Sequence, residues 1–122
     1  MVVGGAGALG QRFVSLFQRS GYLVEVLEQD NWHQAKDMVQ GAALVLIAVP
    51  IAVTEQVITQ LPELDADTVI ADLTSTKTGP LGAMLAKHSA AVVGLHPMFG
   101  PDISNIAKQV VVVSHGLSLI HI

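Results

Sequence analysis

The 122-residue sequence predicts an α/β fold, a doubly wound, mostly parallel β-sheet with helices on both faces. Its strand candidates are continuous apolar runs, as expected for strands that are buried on both faces. Segments with helical spacing separate these runs, which is the pattern of βαβ units. The high apolar content, 51% against 13% charged residues, is typical of such a sheet and excludes a disordered chain. The predicted strands are Met1–Val3, Leu23–Leu27, Ala43–Val49, Thr68–Leu73, Ala91–Leu95 and Val110–Val113.

Four helices are predicted between the first five strands. The first has an apolar stripe at helical spacing, formed by Leu9, Phe13, Leu16 and Phe17. Glycine and proline, together with capping residues, indicate where the helices begin and end. Gly21 ends the first helix, and the second helix begins at Asp30 or Asn31 and ends at Gly41. The third helix covers about 52–61 and is stopped by Pro62, and the fourth starts at Pro80 and reaches Lys87.

Composition excludes several classes of function. A net charge of −4 with only six Lys and Arg argues against a nucleic-acid binder. The longest uncharged stretch, Met38–Thr54, contains Pro50 and is too short and too mixed to span a membrane. No cysteine is present and no histidines are spaced as metal ligands, so we expect no metal site. His33 and His88 lie among polar residues of predicted helices, where we expect solvent-exposed side chains. We expect a single cytoplasmic domain.

A glycine-rich motif follows the first strand. Gly5, Gly7 and Gly10 fit the G-x-G-x-x-G pattern, and the first helix opens within it. Gly5 is expected to make the turn, Gly7 to let the backbone approach a pyrophosphate, and Gly10 to allow close packing of helix on strand. The amino end of the helix, at Ala8 and Leu9, supplies N–H groups to an anion. The motif in this context predicts a Rossmann-like dinucleotide site.

An acidic residue indicates which dinucleotide is bound. Glu28 closes the second strand, 18 residues beyond Gly10. A carboxylate there can accept hydrogen bonds from the ribose hydroxyls and would repel a 2′-phosphate, so NAD is favoured over NADP. Val49 and Pro50, at the end of the third strand, are expected to border the cofactor. The alternative is a glycine-rich turn beside a solvated glutamate.

Polar residues end the fourth and fifth strands. Ser75 and Lys77 follow the fourth strand, and His96 ends the fifth. Ligands of open α/β sheets bind at these carboxyl ends. His96 is placed to take a proton from a substrate hydroxyl while hydride leaves the same carbon, and Ser75 to hydrogen-bond the imidazole or that hydroxyl. Lys77 could meet a carboxylate of the substrate. The alternatives are a merely structural His96 and a solvated Lys77.

These residues resemble the nucleotide-binding domain of prephenate dehydrogenase, most closely the bacterial form fused behind a chorismate mutase domain. The resemblance implies NAD-dependent oxidative decarboxylation of prephenate to 4-hydroxyphenylpyruvate, in tyrosine biosynthesis. In the family, the residue matching His96 polarises the ring hydroxyl, and the one matching Ser75 helps to hold it. The matching segments are Val2–Gly10, Gly21–Glu28 with Trp32, Val49–Ile51, Ala71–Lys77 and Gly94–Gly100.

The resemblance covers residues 1–116, which we expect to form the NAD-binding domain. Residues 117–122 form a tail that does not continue the family's pattern. The family's helical dimerisation domain, with its substrate-binding arginine, has no counterpart in these 122 residues, and a full-length parent is expected to be a homodimer. Three alternatives stay open: a cofactor-binding fragment without activity of its own, an arogenate dehydrogenase, and a β-hydroxyacid dehydrogenase of related fold.

Overall fold

The computed structural model describes residues 1–5, 7–73, 78–88, 91–97 and 111–115, of which 78, 96, 97 and 111–115 are described through their backbone. A six-stranded sheet with the strand order β2-β1-β3-β4-β5-β6 forms the centre of the molecule. The strands β1 to β5 are parallel, and β6 runs antiparallel to β5. The strands are β1 (Val2–Val3), β2 (Val26–Leu27), β3 (Leu44–Ile47), β4 (Val69–Asp72), β5 (Val92–Pro97) and β6 (Val111–His115).

Helices cover both faces of this sheet, which confirms the predicted fold class. On one face, Phe13 packs against Val2, Leu46 and Ala71 of the strands, and the rest of the predicted apolar stripe joins this cluster. On the other face, Ile58 and Met84 belong to a second buried cluster. The helices are α1 (Ala8–Arg19), α2 (Ala35–Val39), α3 (Thr54–Gln60) and α4 (Thr78–Lys87), with 3₁₀ segments at Gln29–Gln34 and Ile51–Val53.

The predicted ends of the first two helices are confirmed, whereas one predicted start is wrong. Gly21 and Gly41 have positive φ angles of 91° and 74°, which glycine adopts without strain. The second helical segment is capped by Glu28 rather than by Asp30 or Asn31. It starts earlier because its first six residues form a 3₁₀ helix, whose tighter repeat the α-helical pattern does not anticipate.

The third and fourth helices also differ slightly from the predicted ranges. The third region is a 3₁₀ segment followed by α3, and it ends before Pro62 as expected. The fourth helix begins at Thr78, so Pro80 lies within its first turn rather than at its start. Proline is tolerated there because a first-turn N–H has no partner inside the helix. No helix in the described ranges is long and apolar enough to cross a membrane.

The two helix-associated histidines have different environments. His33 is exposed, as predicted. The expectation for His88 is wrong: its side chain is only 5% exposed, and its Nε2–H donates to the carbonyl oxygen of Thr68 at 2.7 Å. His88 directly follows α4, and its partner Thr68 directly precedes β4. Its burial therefore depends on a partner twenty residues away, which the polar neighbours in sequence do not indicate.

Candidate cofactor-binding site

The candidate site lies where the strand order changes direction. Within the sheet, β2 lies on one side of β1 and β3 lies on the other, so the chain moves from β1 to β2 and then returns past β1 to β3. The connections that leave β1 and β3 therefore diverge and leave a crevice at the carboxyl ends of these two strands. In open α/β sheets, ligands bind at this switch point. Residues 4, 5 and 7–10, which we call the glycine loop, and the segment from Ala48 to Pro50 lie at this switch point.

The turn after β1 is made by Gly4. Its φ angle is 81°, and its N–H donates to the carbonyl oxygen of Leu27 at 2.9 Å. A Cβ on Gly4 would lie 2.8 Å from Cγ1 of Val49, so the position requires glycine for both conformation and space. Gly5 also lies in this turn, as expected, but the positive φ angle that the turn requires belongs to Gly4. The doubled Gly4-Gly5 was the sequence signal that could have indicated this.

Gly5 also serves close packing beneath the loop. It is buried, and a Cβ there would lie 3.0 Å from the side chain of Val26 and 3.1 Å from that of Val14. These side chains belong to β2 and α1. The residue thus lets the loop rest on both elements at once, while a role in cofactor binding stays a prediction.

Gly10 brings α1 against the loop, as predicted. A Cβ on this buried glycine would lie 2.7 Å from the carbonyl oxygen of Gly4 and 2.9 Å from the Cα of Gly5. Both are backbone atoms, which cannot move aside as the end of a flexible side chain can. The motif's third glycine is therefore required by the approach of helix to strand.

Gly7 is the N-cap of α1 and has no such steric constraint. Its N–H donates to Gly4 O at 3.1 Å, and its carbonyl accepts the N–H of Gln11 at 2.9 Å. A Cβ would find only Gly4 O, at an ordinary 3.4 Å. Gly7 and Ala8 are exposed and Leu9 is half-buried, and the first turn carries no acidic residue. The amino end of the helix is therefore open to an anion.

Glu28 lies beside this loop, at the carboxyl end of β2. The bond from Gly4 to Leu27 holds the two strand ends together. Glu28 and Asn31 form a capping box: the N–H of Glu28 donates to Asn31 Oδ1 at 2.7 Å, and the Glu28 side chain accepts the N–H of Asn31. The half-buried carboxylate is thus held in position next to the glycine loop.

Val49 and Pro50 form the opposite wall of the crevice. The Val49 side chain occupies the space above Gly4. Pro50 is exposed, and its carbonyl oxygen accepts hydrogen bonds from the N–H of Val53 and the hydroxyl of Thr54, both at 3.1 Å. These two bonds start the helical turn that leads from the crevice into α3.

The predicted catalytic residues come from two neighbouring segments: Ser75 follows β4 in the sequence, and His96 lies in β5. Ser75 lies outside the described residues. Asp72, the last residue of β4, is fully buried and lies between Ile47 and Gly94 of the neighbouring strands. His96 lies near the carboxyl end of β5, where its backbone is in register with Val112. The strand order places β5 three positions from β1, about 14 Å away at the usual strand spacing.

A separate cleft opens at the amino edge of the sheet. Its volume is about 620 Å³, and its lining includes Met1, Phe17, Tyr22, Glu25 and Leu44. These residues stand at the starts of strands or at the end of α1, opposite the glycine loop. The cleft is therefore distinct from the candidate cofactor site. Within the described ranges, no group of three acidic or histidine side chains could hold a metal ion.

Comparison with known proteins identifies the family. Residues 24–113 match the family model described as "Prephenate dehydrogenase, nucleotide-binding domain". The chain belongs to this family. The match confirms the resemblance that the glycine loop and the segments at the ends of the fourth and fifth strands predicted.

Curated relatives are much longer than this chain. The T-protein of Enterobacter agglomerans is 51% identical over 112 residues, which is 92% of this chain and 30% of the relative. The T-protein of Haemophilus influenzae is 45% identical over 113 residues, with the same coverage. A "Probable arogenate/prephenate dehydrogenase" of Methanocaldococcus jannaschii is 31% identical over 130 residues. The chain spans about 30% of the length of these relatives.

Solved structures share the fold at low sequence identity. Prephenate dehydrogenase from Aquifex aeolicus, in complex with hydroxyphenyl propionate and NAD+, superposes with a TM-score of 0.73 and 17% identity. The match covers 93% of this chain and 49% of that one. A reductive aminase from Aspergillus terreus in complex with NADPH has a TM-score of 0.68 and 20% identity, covering 94% of this chain and 46% of the other.

Proposed function

We propose that this chain is the NAD-binding part of a prephenate dehydrogenase, which converts prephenate to 4-hydroxyphenylpyruvate in tyrosine biosynthesis. The observation that carries the proposal is the open amino end of α1, held beside Glu28 at the switch point of the sheet. The family match and the NAD+ bound by the Aquifex aeolicus relative support it. We further propose residues 1–116 as the domain, a homodimer for the full-length parent and a cytoplasmic location.

The residues at the crevice fit an extended dinucleotide. The N–H groups of Ala8 and Leu9 would face the pyrophosphate, because a helix amino end favours negative charge. Gly7, whose own N–H already donates to Gly4 O, would let the pyrophosphate approach the backbone. Glu28 would accept hydrogen bonds from the adenosine ribose, and its capping box holds the carboxylate ready for this contact. Gly5 and Gly10 would act by keeping the loop close to the strands, and Val49 and Pro50 would border the cofactor.

NAD, when bound, supplies the hydride acceptor, and the protein positions the substrate against it. In the proposed reaction, His96 accepts the hydrogen bond of the ring hydroxyl as the hydride leaves the same carbon. The electron pair of the breaking carbon–carboxylate bond then completes the aromatic ring, and carbon dioxide departs. Ser75 would orient the hydroxyl and the imidazole. Since aromatisation drives the step, orientation and one hydrogen bond are the main tasks left to the protein.

Thermal unfolding in the presence of cofactor tests this proposal directly. NAD at a hundredfold excess over its dissociation constant should stabilise the folded chain by about 2.7 kcal/mol, while NADP at the same concentration should have little effect. A melt that ignores both cofactors would contradict the assignment of the crevice. A larger stabilisation by NADP than by NAD would contradict only the role proposed for Glu28 and not the assignment of the crevice.

Arogenate is the second candidate substrate, because the name of the Methanocaldococcus jannaschii relative includes it. The two substrates differ in their side chain, a keto acid in prephenate and an amino acid in arogenate. Comparing kcat/KM for prephenate and arogenate would decide between them. A β-hydroxyacid substrate is the third candidate. A chain that binds NAD but turns over none of these substrates would be a cofactor-binding module without activity of its own.

A further inference from the structure

The outer edge of β2 is where the strand that ends at Glu28 has no neighbouring strand. In the sheet, β2 is the first strand, with β1 on its inner side. Glu25 O and Leu27 O accept N–H groups from β1 and from the turn that follows it, so these two carbonyls face inward. Because backbone groups alternate in direction along a strand, the carbonyl of Val26 and the N–H of Glu28 face the outer edge.

The side chain of Asn31 pairs both of these outward-facing groups. Its Nδ2–H donates to Val26 O at 3.0 Å, and its Oδ1 accepts the N–H of Glu28 at 2.7 Å. A residue of a parallel strand bonds the same two groups of its neighbour, the carbonyl of one residue and the N–H two residues further on. A carboxamide can do this because it carries a donor and an acceptor side by side. Asn31 thus takes the place of a strand at the end of β2.

The backbone of Asn31 also contacts the carboxylate of Glu28. The N–H of Asn31 donates to the Glu28 side chain, and Asn31 is the residue at which the 3₁₀ segment departs from helical geometry, with φ −116° and ψ 21°. Asn31 therefore fixes the extended backbone on both sides of Leu27 and the side chain that follows it. The direction of the Glu28 carboxylate depends on this one residue.

We propose that Asn31 is a positioning residue for the cofactor. Acting as a substitute strand, it aims the Glu28 carboxylate at the adenosine ribose. The ribose contact rests on the proposed function, whereas the hydrogen bonds of Asn31 rest on the geometry alone. A carboxylate that is held before the cofactor arrives loses less rotational freedom on binding, which favours affinity. Asn31 acts through Glu28 and is not proposed to touch NAD.

Amide hydrogen exchange of this chain without cofactor tests the hydrogen bonds. Asn31→Ala should make the Glu28 amide exchange roughly tenfold faster, because that N–H loses its acceptor. The Gly4 amide, which donates to Leu27 O on the inner side of β2, should change by less than about twofold. Asn31→Asp keeps the acceptor, so this second variant should fold and leave the Glu28 amide protected. Unchanged exchange of the Glu28 amide in Asn31→Ala would overturn the proposal.

A double-mutant cycle on NAD affinity separates positioning from a general structural effect. At a temperature where every variant is folded, Asn31→Ala should raise the NAD dissociation constant, measured by calorimetry, about three- to tenfold. In the Glu28→Ala background no carboxylate remains to be aimed, so the same change should raise it by less than about twofold. Equal factors in the two backgrounds would mean that Asn31 is merely structural, and would overturn its positioning role.

The matched control is His33→Ala, which removes an exposed side chain of the same 3₁₀ segment outside the capping box. It should change neither the exchange of the Glu28 amide nor the affinity for NAD. An unmodified chain that binds neither NAD nor NADP would contradict the proposed function, and the ribose role of Asn31 with it. The exchange of the Glu28 amide would then still decide whether Asn31 holds the end of β2.

Discussion

Replacing Gly10 with alanine should separate α1 from the loop that it packs against. The new Cβ would lie 2.7 Å from Gly4 O and 2.9 Å from the Cα of Gly5, so backbone must move. Overpacking of this kind costs about 1–3 kcal/mol. The better helix propensity of alanine returns about 1 kcal/mol, which leaves a net loss of up to about 2 kcal/mol. For a chain of this size, that loss lowers the melting midpoint by roughly 4 °C per kcal/mol.

Gly82→Ala is the matched control for this change. Gly82 also lies inside a helix, α4, but a Cβ there would meet nothing within 4 Å. The substitution should therefore raise stability by about 0.5–1 kcal/mol through propensity alone. Thermal unfolding of both variants, with and without NAD, measures the difference, and Gly10→Ala should also reduce the NAD-induced shift. If Gly10→Ala melts at or above Gly82→Ala, the close approach of helix to loop is refuted.

Three further predictions concern the cofactor, the core and the buried histidine. Glu28→Arg should weaken the binding of NAD and improve that of NADP. Asn31→Ala breaks the same capping box, so it should lower stability by about 1 kcal/mol but keep the preference for NAD. If calorimetry finds the same cofactor preference in both variants, the assignment of Glu28 to the ribose is contradicted. Phe13→Ala should cost about 3–5 kcal/mol in denaturant unfolding, whereas Leu23→Ala, at a fully exposed position, should cost less than about 0.5 kcal/mol. His88→Ala should cost about 1–3 kcal/mol because it leaves a buried carbonyl oxygen without its donor, and a stability equal to that of the unmodified chain would show that this bond does not form.

Local pattern was enough to predict much of the fold and the position of the candidate site. Apolar runs and helical stripes depend on the faces that each element buries, so the strands and helices could be located before any pairing was known. The glycine motif could be placed for a similar reason, because it needs only a preceding strand and a following helix. Gly21 and Gly41, which end the first two helices, could also be predicted from the sequence, because a helix end of this kind depends only on the positive φ angle of the glycine itself.

The tertiary structure decided what depends on partners far apart in the chain. The strand order β2-β1-β3-β4-β5-β6, which creates the crevice, is set by how helices pack on the sheet and is not contained in any single segment. Position 4 requires glycine partly because Val49, which follows β3, fills the space above it. His88 is buried where the Thr68 carbonyl oxygen, twenty residues away in the chain, accepts its hydrogen bond. Sequence periodicity reports which face of an element is apolar, but only the folded chain determines which atoms that face meets.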